Sequence, residues 1–152
     1  MEIRITKGKN RNLLSCKRKD GTMTSLNLGP DIPNHDIAHY VVEKAFRLEQ
    51  GFYGKLNAGM TIEELSNKEN IKKFGPETWL SEIMARNLQS LGSEAANIEQ
   101  FIDLIQWEVQ QVDGLSVPNM NLTTIKKIKS DFEGLCNQWD ALPENGVLRL
   151  IF

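Results

Sequence analysis

The sequence predicts an α+β fold, a small and mostly antiparallel sheet from the N-terminal strands plus the C-terminal strand, packed with about four helices. Two-residue periodicity is confined to the two ends of the chain, and helical periodicity fills one block between them. That segregation argues against an alternating βαβ order. With 152 residues, 40% hydrophobic and 25% charged, the composition is that of one globular domain, residues 1–152, long enough to bury a core without staples. No internal repeat or long linker divides it.

Residues 2–6 alternate Glu, Ile, Arg, Ile, Thr, the pattern of a half-buried strand, and Lys7-Gly8-Lys9-Asn10 is turn chemistry. Residues 13–19 and 22–28 flank Asp20-Gly21, a favoured type I′ pair, which predicts a hairpin with Cys16 opposite Ser25. Lys17, Arg18 and Lys19 then surround its tip as a solvated edge. Pro33 disfavours helix at the residue before it, Asn34 suits an N-cap, and Asp36 in a first turn suits the helix dipole, so a helix is predicted from 34 to about 50.

Gly51, Gly54 and Gly59 end that pattern and let Phe52 and Tyr53 pack closely; their spacing fits neither G-x-G-x-x-G nor a P-loop. Residues 61–65 read as a short capped turn of helix and 67–73 as a polar connector. Gly75-Pro76-Glu77 opens a helix whose apolar side carries Trp79, Leu80, Ile83, Met84, Leu88 and Leu91. Gly92 and the N-cap candidate Ser93 separate it from a helix running to about Val112, with Phe101, Ile105 and Val109 inward. The last helix starts near Asn121 or Thr123 and repeats Ile125, Ile128, Phe132, Leu135 and Trp139, with Cys136 beside them. Pro143-Glu144-Asn145-Gly146 turns the chain into a final strand over 147–152, expected to join the N-terminal sheet.

Chemistry concentrates in residues 33–43, which hold both histidines of the chain, four positions apart. Imidazoles at i and i+4 stand about 6 Å apart along a helix axis, close enough for both to meet one tetrahedral zinc. His35 and His39 are therefore candidate metal ligands, and a divalent metal such as zinc is the candidate cofactor. A first-turn position is expected to depress the pKa of His35 and favour its neutral, ligating form. Glu43 is a poorer third ligand, because i to i+8 spans about 12 Å; a ligand from another helix fits better. Glu82 and Glu108 are the candidates there, Glu108 on the flank of an apolar stripe and Glu82 on the outer side of its helix by periodicity. Asp36 and Glu43 are the candidate catalytic carboxylates, Asp36 as orienting group or base. The structural alternative is that His39 hydrogen-bonds a neighbour such as Asp36 or a backbone carbonyl.

The run Pro33-x-His35-Asp36-Ile37-x-His39-Tyr40-x-Val42-Glu43, followed by Gly51-Phe52-Tyr53-Gly54 and Gly59, resembles a family of small bacterial proteins with no assigned function. That family reads P-x-H-D-[LI]-x-H-[YF]-x-V-E and then G-F-x-G. The likeness covers roughly residues 18–60, implies a shared site without naming its reaction, and more loosely draws attention to a glutamate in the helix holding Glu82. A more distant likeness is to the zinc-binding ubiquinone-biosynthesis family, whose motif also reads H-D-x-x-H. There the glutamate comes further along, where this chain has the Gly51 turn with Glu49 nearest, so only His35, Asp36 and His39 carry over as site residues, and the activity does not. HD-domain phosphohydrolases need a third histidine before the pair, and this chain has none.

A net charge of −2, from 18 basic and 20 acidic residues with no basic arm, gives no footprint for nucleic acid or an anionic membrane surface. Cys16 and Cys136 form no C-x-x-C and the N-terminus lacks an apolar signal core, which predicts a cytoplasmic protein with reduced thiols. There is no G-x-S-x-G to support nucleophilic catalysis. Two function classes follow. One is a metal-dependent enzyme or metal-binding protein built on His35 and His39; the other is a non-enzymatic module whose histidine helix, Phe52 and Tyr53 line an apolar groove for a small molecule or partner chain.

Overall fold

Strand β1 (Glu2–Thr6) lies inside a four-stranded antiparallel sheet, flanked on one side by β2 (Leu13–Lys17) and then β3 (Met23–Asn27), and on the other by β4 (Val147–Ile151). In this computed structural model residues 1–67, 70 and 73–152 are described. The expected return of the C-terminus to the N-terminal sheet is present: Glu2 pairs with Ile151 and Thr6 with Val147, and the Met1 ammonium donates to the Phe152 carbonyl at 2.6 Å. Alternation then sorts the side chains. Ile3, Ile5, Leu14, Cys16, Leu148 and Leu150 line the covered face, all buried.

The helices are α1 (Asn34–Phe46), α2 (Phe52–Asn57), α3 (Ile62–Ser66), α4 (Pro76–Gly92), α5 (Ile98–Val109) and α6 (Leu122–Asp140). Helix α1 packs against both α4 and α6, and α5 packs on the far side of α4. Ile37, Ala38, Val41 and Val42 of α1 join the same buried cluster as the inner sheet face and as Met84, Leu88, Ile125 and Ile128. Burying each large apolar side chain contributes roughly 1.5–3 kcal/mol, so this shared core holds α1 and α4 at a fixed spacing. Among the described residues, no helix is long and apolar enough to cross a membrane.

Several expectations need correction. The β2–β3 hairpin pairs Cys16 with Thr24 and Ser15 with Ser25, one residue away from the expected register. A type I′ turn needs positive φ at both central residues. Here Gly21 alone takes it (φ 87°), giving a three-residue tip in which the Gly21 N–H donates to the Arg18 carbonyl. Asn34 is the first helical residue rather than the cap, and Pro33 occupies the cap position with no side-chain bond. Helix α1 ends at Phe46, short of residue 50, because Arg47 turns left-handed (φ 53°) and its N–H closes on the Glu43 carbonyl.

Helix α5 begins after Asn97, not Ser93: Asn97 and Gln100 form a reciprocal capping box, and the helix stops at Val109. Asn121 caps α6 as expected, accepting from the Thr124 N–H. Among the described residues, two short helices accompany the four long ones expected: 62–66, boxed by Thr61 and Glu64, is the capped turn expected over 61–65, and 52–57 stands where the glycines were expected only to break the pattern. The expected connector over 67–73 falls partly on residues 68, 69, 71 and 72, outside the described residues.

The hairpin tip gives a direct test. Gly21→Ala forces a Cβ into the left-handed region and should cost about 1 kcal/mol in urea unfolding. Gly134→Ala, inside α6 with no atom within 4 Å of the added carbon, should instead stabilise by roughly 0.5–1 kcal/mol.

Candidate metal centre

His35 and His39 lie one turn apart on α1, and their rings meet edge to face with centroids 4.6 Å apart. Their Nε2 atoms are 3.2 Å apart. Glu82 reaches over from α4, one carboxylate oxygen 3.1 Å from His39 Nε2 and the other 3.4 Å from His35 Nε2. A tetrahedral zinc with bonds near 2.0–2.1 Å has ligand-to-ligand edges of roughly 3.3–3.4 Å. The three separations are close to those edges. Among the described residues, His35, His39 and Glu82 form the one group of three or more side chains arranged to hold an ion.

The opposite edges of both rings are held by acceptors. His39 Nδ1 lies 3.2 Å from Glu43 Oε1 and 2.9 Å from Ser81 Oγ, and the Ser81 hydroxyl donates to the same Glu43 oxygen at 2.7 Å. His35 Nδ1 faces Gln89 Oε1 at 3.0 Å, and the Gln89 amide donates to Asn34 Oδ1. This network assigns a proton to each Nδ1 and turns each Nε2 toward Glu82. A carboxylate or carbonyl behind a ligating imidazole is the arrangement that sets tautomer and ring angle at metal sites.

Glu43 is itself buried, and its carboxylate also accepts from the backbone N–H groups of Phe52 (2.7 Å), Tyr53 (2.8 Å) and Gly54 (3.1 Å). Three amides, a hydroxyl and a ring N–H converge on one acceptor-only group, which offsets its loss of hydration. The cradle requires glycine at 51, where an added Cβ would stand 2.4 Å from the Glu43 carboxyl carbon.

Exposure is graded across the group. The side chain of His39 is 7% exposed, those of His35 and Glu82 45% and 42%. Burial pushes the His39 imidazolium down, but hydrogen bonds to Glu43 and Glu82 outweigh it and raise its pKa to about 9. His35 is also raised, against the expected helix-dipole depression: its hydrogen bond to Glu82 exceeds burial and repulsion from His39. Hydrogen bonds from His35 and His39 hold the Glu82 carboxyl well below the usual carboxylate range.

The other sequence candidates separate in space. Glu43 stands behind His39, on the Nδ1 side, and not with the Nε2 atoms. Asp36 takes no part in the imidazole hydrogen bonds; burial raises its carboxyl pKa, and electrostatic attraction to His39 and His35 offsets only part of that rise. Glu108 accepts from Asn87 and is ion-paired with Arg86, away from the histidines. Tyr53 is fully buried, whereas Phe52 stacks near His39 with ring centroids 5.6 Å apart and borders a recess beside it. Ser81, Gln89 and Gly51 are parts of the site that sequence reasoning missed. The first two sit beside apolar α4 positions with no spacing signal, and Gly51 is legible only as a turn.

Beside the group, Phe52, Phe74, Trp79, His39 and Glu82 border a slot of about 40 Å³, room for one or two waters. The chain matches no protein-family model, and no curated protein or solved structure is significantly similar to it. The functional reading therefore stands on the site's own chemistry.

Two outcomes test the geometry. Gly51→Ala should destabilise by about 1–3 kcal/mol in urea, because the Glu43 carboxylate cannot retreat without breaking its bonds. In chelator, the raised His39 pKa makes its contribution to stability complete below about pH 6.5 and lost as pH rises through about 9. The depressed Glu82 makes its contribution complete above about pH 4.5 and lost as pH falls below that. Urea midpoints should therefore fall between pH 6.5 and 9, and less steeply in Glu82→Gln; equal slopes in both proteins would contradict the pairing.

Proposed function

We propose that His35, His39 and Glu82 form a divalent-metal centre, with zinc as the first candidate, and that the protein acts through it. One observation carries the reading: two Nε2 atoms 3.2 Å apart, each ring anchored through Nδ1, with a carboxylate facing both. Two imidazole lone pairs and a carboxylate repel one another unless a cation lies among them. The cation is either a proton or a metal ion. Two histidines and one carboxylate also leave coordination positions free, as in catalytic zinc and non-haem iron sites and unlike closed structural ones. A metal held here would act as a Lewis acid on a substrate oxygen or on a bound water, in the slot between His39 and Trp79. Glu43 would serve as orienter of His39, not as base, since its oxygens are already engaged.

The competing reading is a non-enzymatic module with structural histidines, and the ion pairs of Glu82 with both rings favour it, because they satisfy these groups with a proton alone. A cytoplasmic setting belongs to both readings; the free thiols of Cys16 and Cys136 agree with it.

Linkage separates the two. Free zinc at a hundred times its dissociation constant should add roughly 2.7 kcal/mol to the stability of the wild type, and His39→Ala should lose most of that gain. Calorimetry in buffers of different ionisation enthalpy should show release of about one proton or more per metal at pH 7, because His39 must surrender its Nε2 proton. Identical melts of metal-stripped wild type in chelator, zinc, manganese and nickel would reject the metal centre in favour of the module.

A further inference from the structure

Glu82 borders two recesses. The first is the water-sized slot that reaches His39; the second is a cleft of about 230 Å³ between α4 and α5, lined by Trp79, Ile83, Trp107 and Val112 and by the Arg86–Glu108 pair. Trp79 and Glu82 belong to both. Trp107 is 62% exposed and Leu104, one turn earlier on α5, is 41% exposed. An indole carries roughly 150–250 Å² of surface, so the edge of this cleft holds much apolar area that folding alone leaves in water. Arg86 and Glu108 offset each other's charge, and the charge of Glu82 is turned toward the two histidines, so the lining carries no net charge of its own to offer a ligand.

We propose that the Trp79–Trp107 cleft is the substrate pocket of the metal centre, and that it takes the uncharged, flat apolar end of a small ligand whose oxygen donors reach the metal past Glu82. The proposal rests on the metal-centre reading above. The size of the cleft limits the ligand: drug-sized molecules occupy roughly 300–1,000 Å³, so this cleft suits a single ring or a short branched chain. Two tryptophans favour the ring, since indole faces gain from stacked or edge contacts beyond simple burial. The slot that shares Trp79 and Glu82 with the cleft would keep room for a water next to His39.

Hydroxamates test this, because they chelate an open zinc through two oxygens while their tails are interchangeable. With zinc-loaded protein, benzohydroxamate should bind at least tenfold tighter than acetohydroxamate by calorimetry. In Trp107→Ala, an exposed position whose loss leaves the core intact, that preference should shrink below threefold while acetohydroxamate affinity stays within twofold. Equal affinities in the wild type, or a preference that survives Trp107→Ala, would overturn the pocket and leave the metal centre standing. Zinc binding with neither hydroxamate bound would also overturn it, since the metal would then lack a free position on the cleft side. Failure of zinc itself to bind would remove the metal reading and the pocket together.

Discussion

The buried carboxylate of Glu43 is the constraint on which the site depends. It sits in the last turns of α1, accepts the first amides of α2, takes the Ser81 hydroxyl of α4 and faces Nδ1 of His39. One side chain thus joins three helices. Removing any one donor would leave a buried acceptor site unfilled, which costs more than a surface hydrogen bond contributes. The short left-handed turn at Arg47 and the glycine at 51 follow from the same requirement, because the chain must double back within a few residues to bring its amides onto that carboxylate.

With His39 so fixed, the rest of the centre needs little else. His35 follows one turn earlier on the same rigid helix, oriented by Gln89, and Glu82 follows Ser81 by one residue on α4. Ser81 and Glu82 divide the work: the first turns inward to the anchor, and the second reaches the open edge of the two rings. The anchor side of the group is dry and the open side meets solvent. That gradient suits a site whose ligands must be preorganised yet reachable.

The same geometry creates a tension that only a cation resolves. Glu82 and the two rings are held closer than three unprotonated ligands would choose, and burial of His39 sharpens their repulsion by lowering the local dielectric response. A proton relieves it, and Glu43 and Glu82 hold that proton by raising the pKa of His39 to about 9 against its burial; a metal would relieve it by taking the proton's place. Stability without metal and the proposed affinity for metal would therefore be two expressions of one electrostatic arrangement.

Local patterning alone determined much here. Period two at the termini foretold an antiparallel sheet closed by the last strand, and the i, i+4 histidines on a helix foretold that both rings share a side, because a helix repeats every 3.6 residues whatever it packs against. Where two local rules compete, the tertiary structure decided. Asp20-Gly21 satisfies a two-residue turn as well as a three-residue one, and the latter is the one that sets Leu26 of β3 opposite the buried Leu14, against the core. Glu82 shows the same limit: periodicity set it on the outer side of α4, and only the crossing of α4 over α1 makes that side the mouth of the histidine pair. Glu108 had the better inward placement on its own helix, yet α5 packs on the far side of α4, beyond reach of the histidines. A sequence specifies which face of each helix a residue occupies. Which faces meet is set by packing the whole core, and that is a property of all the elements at once.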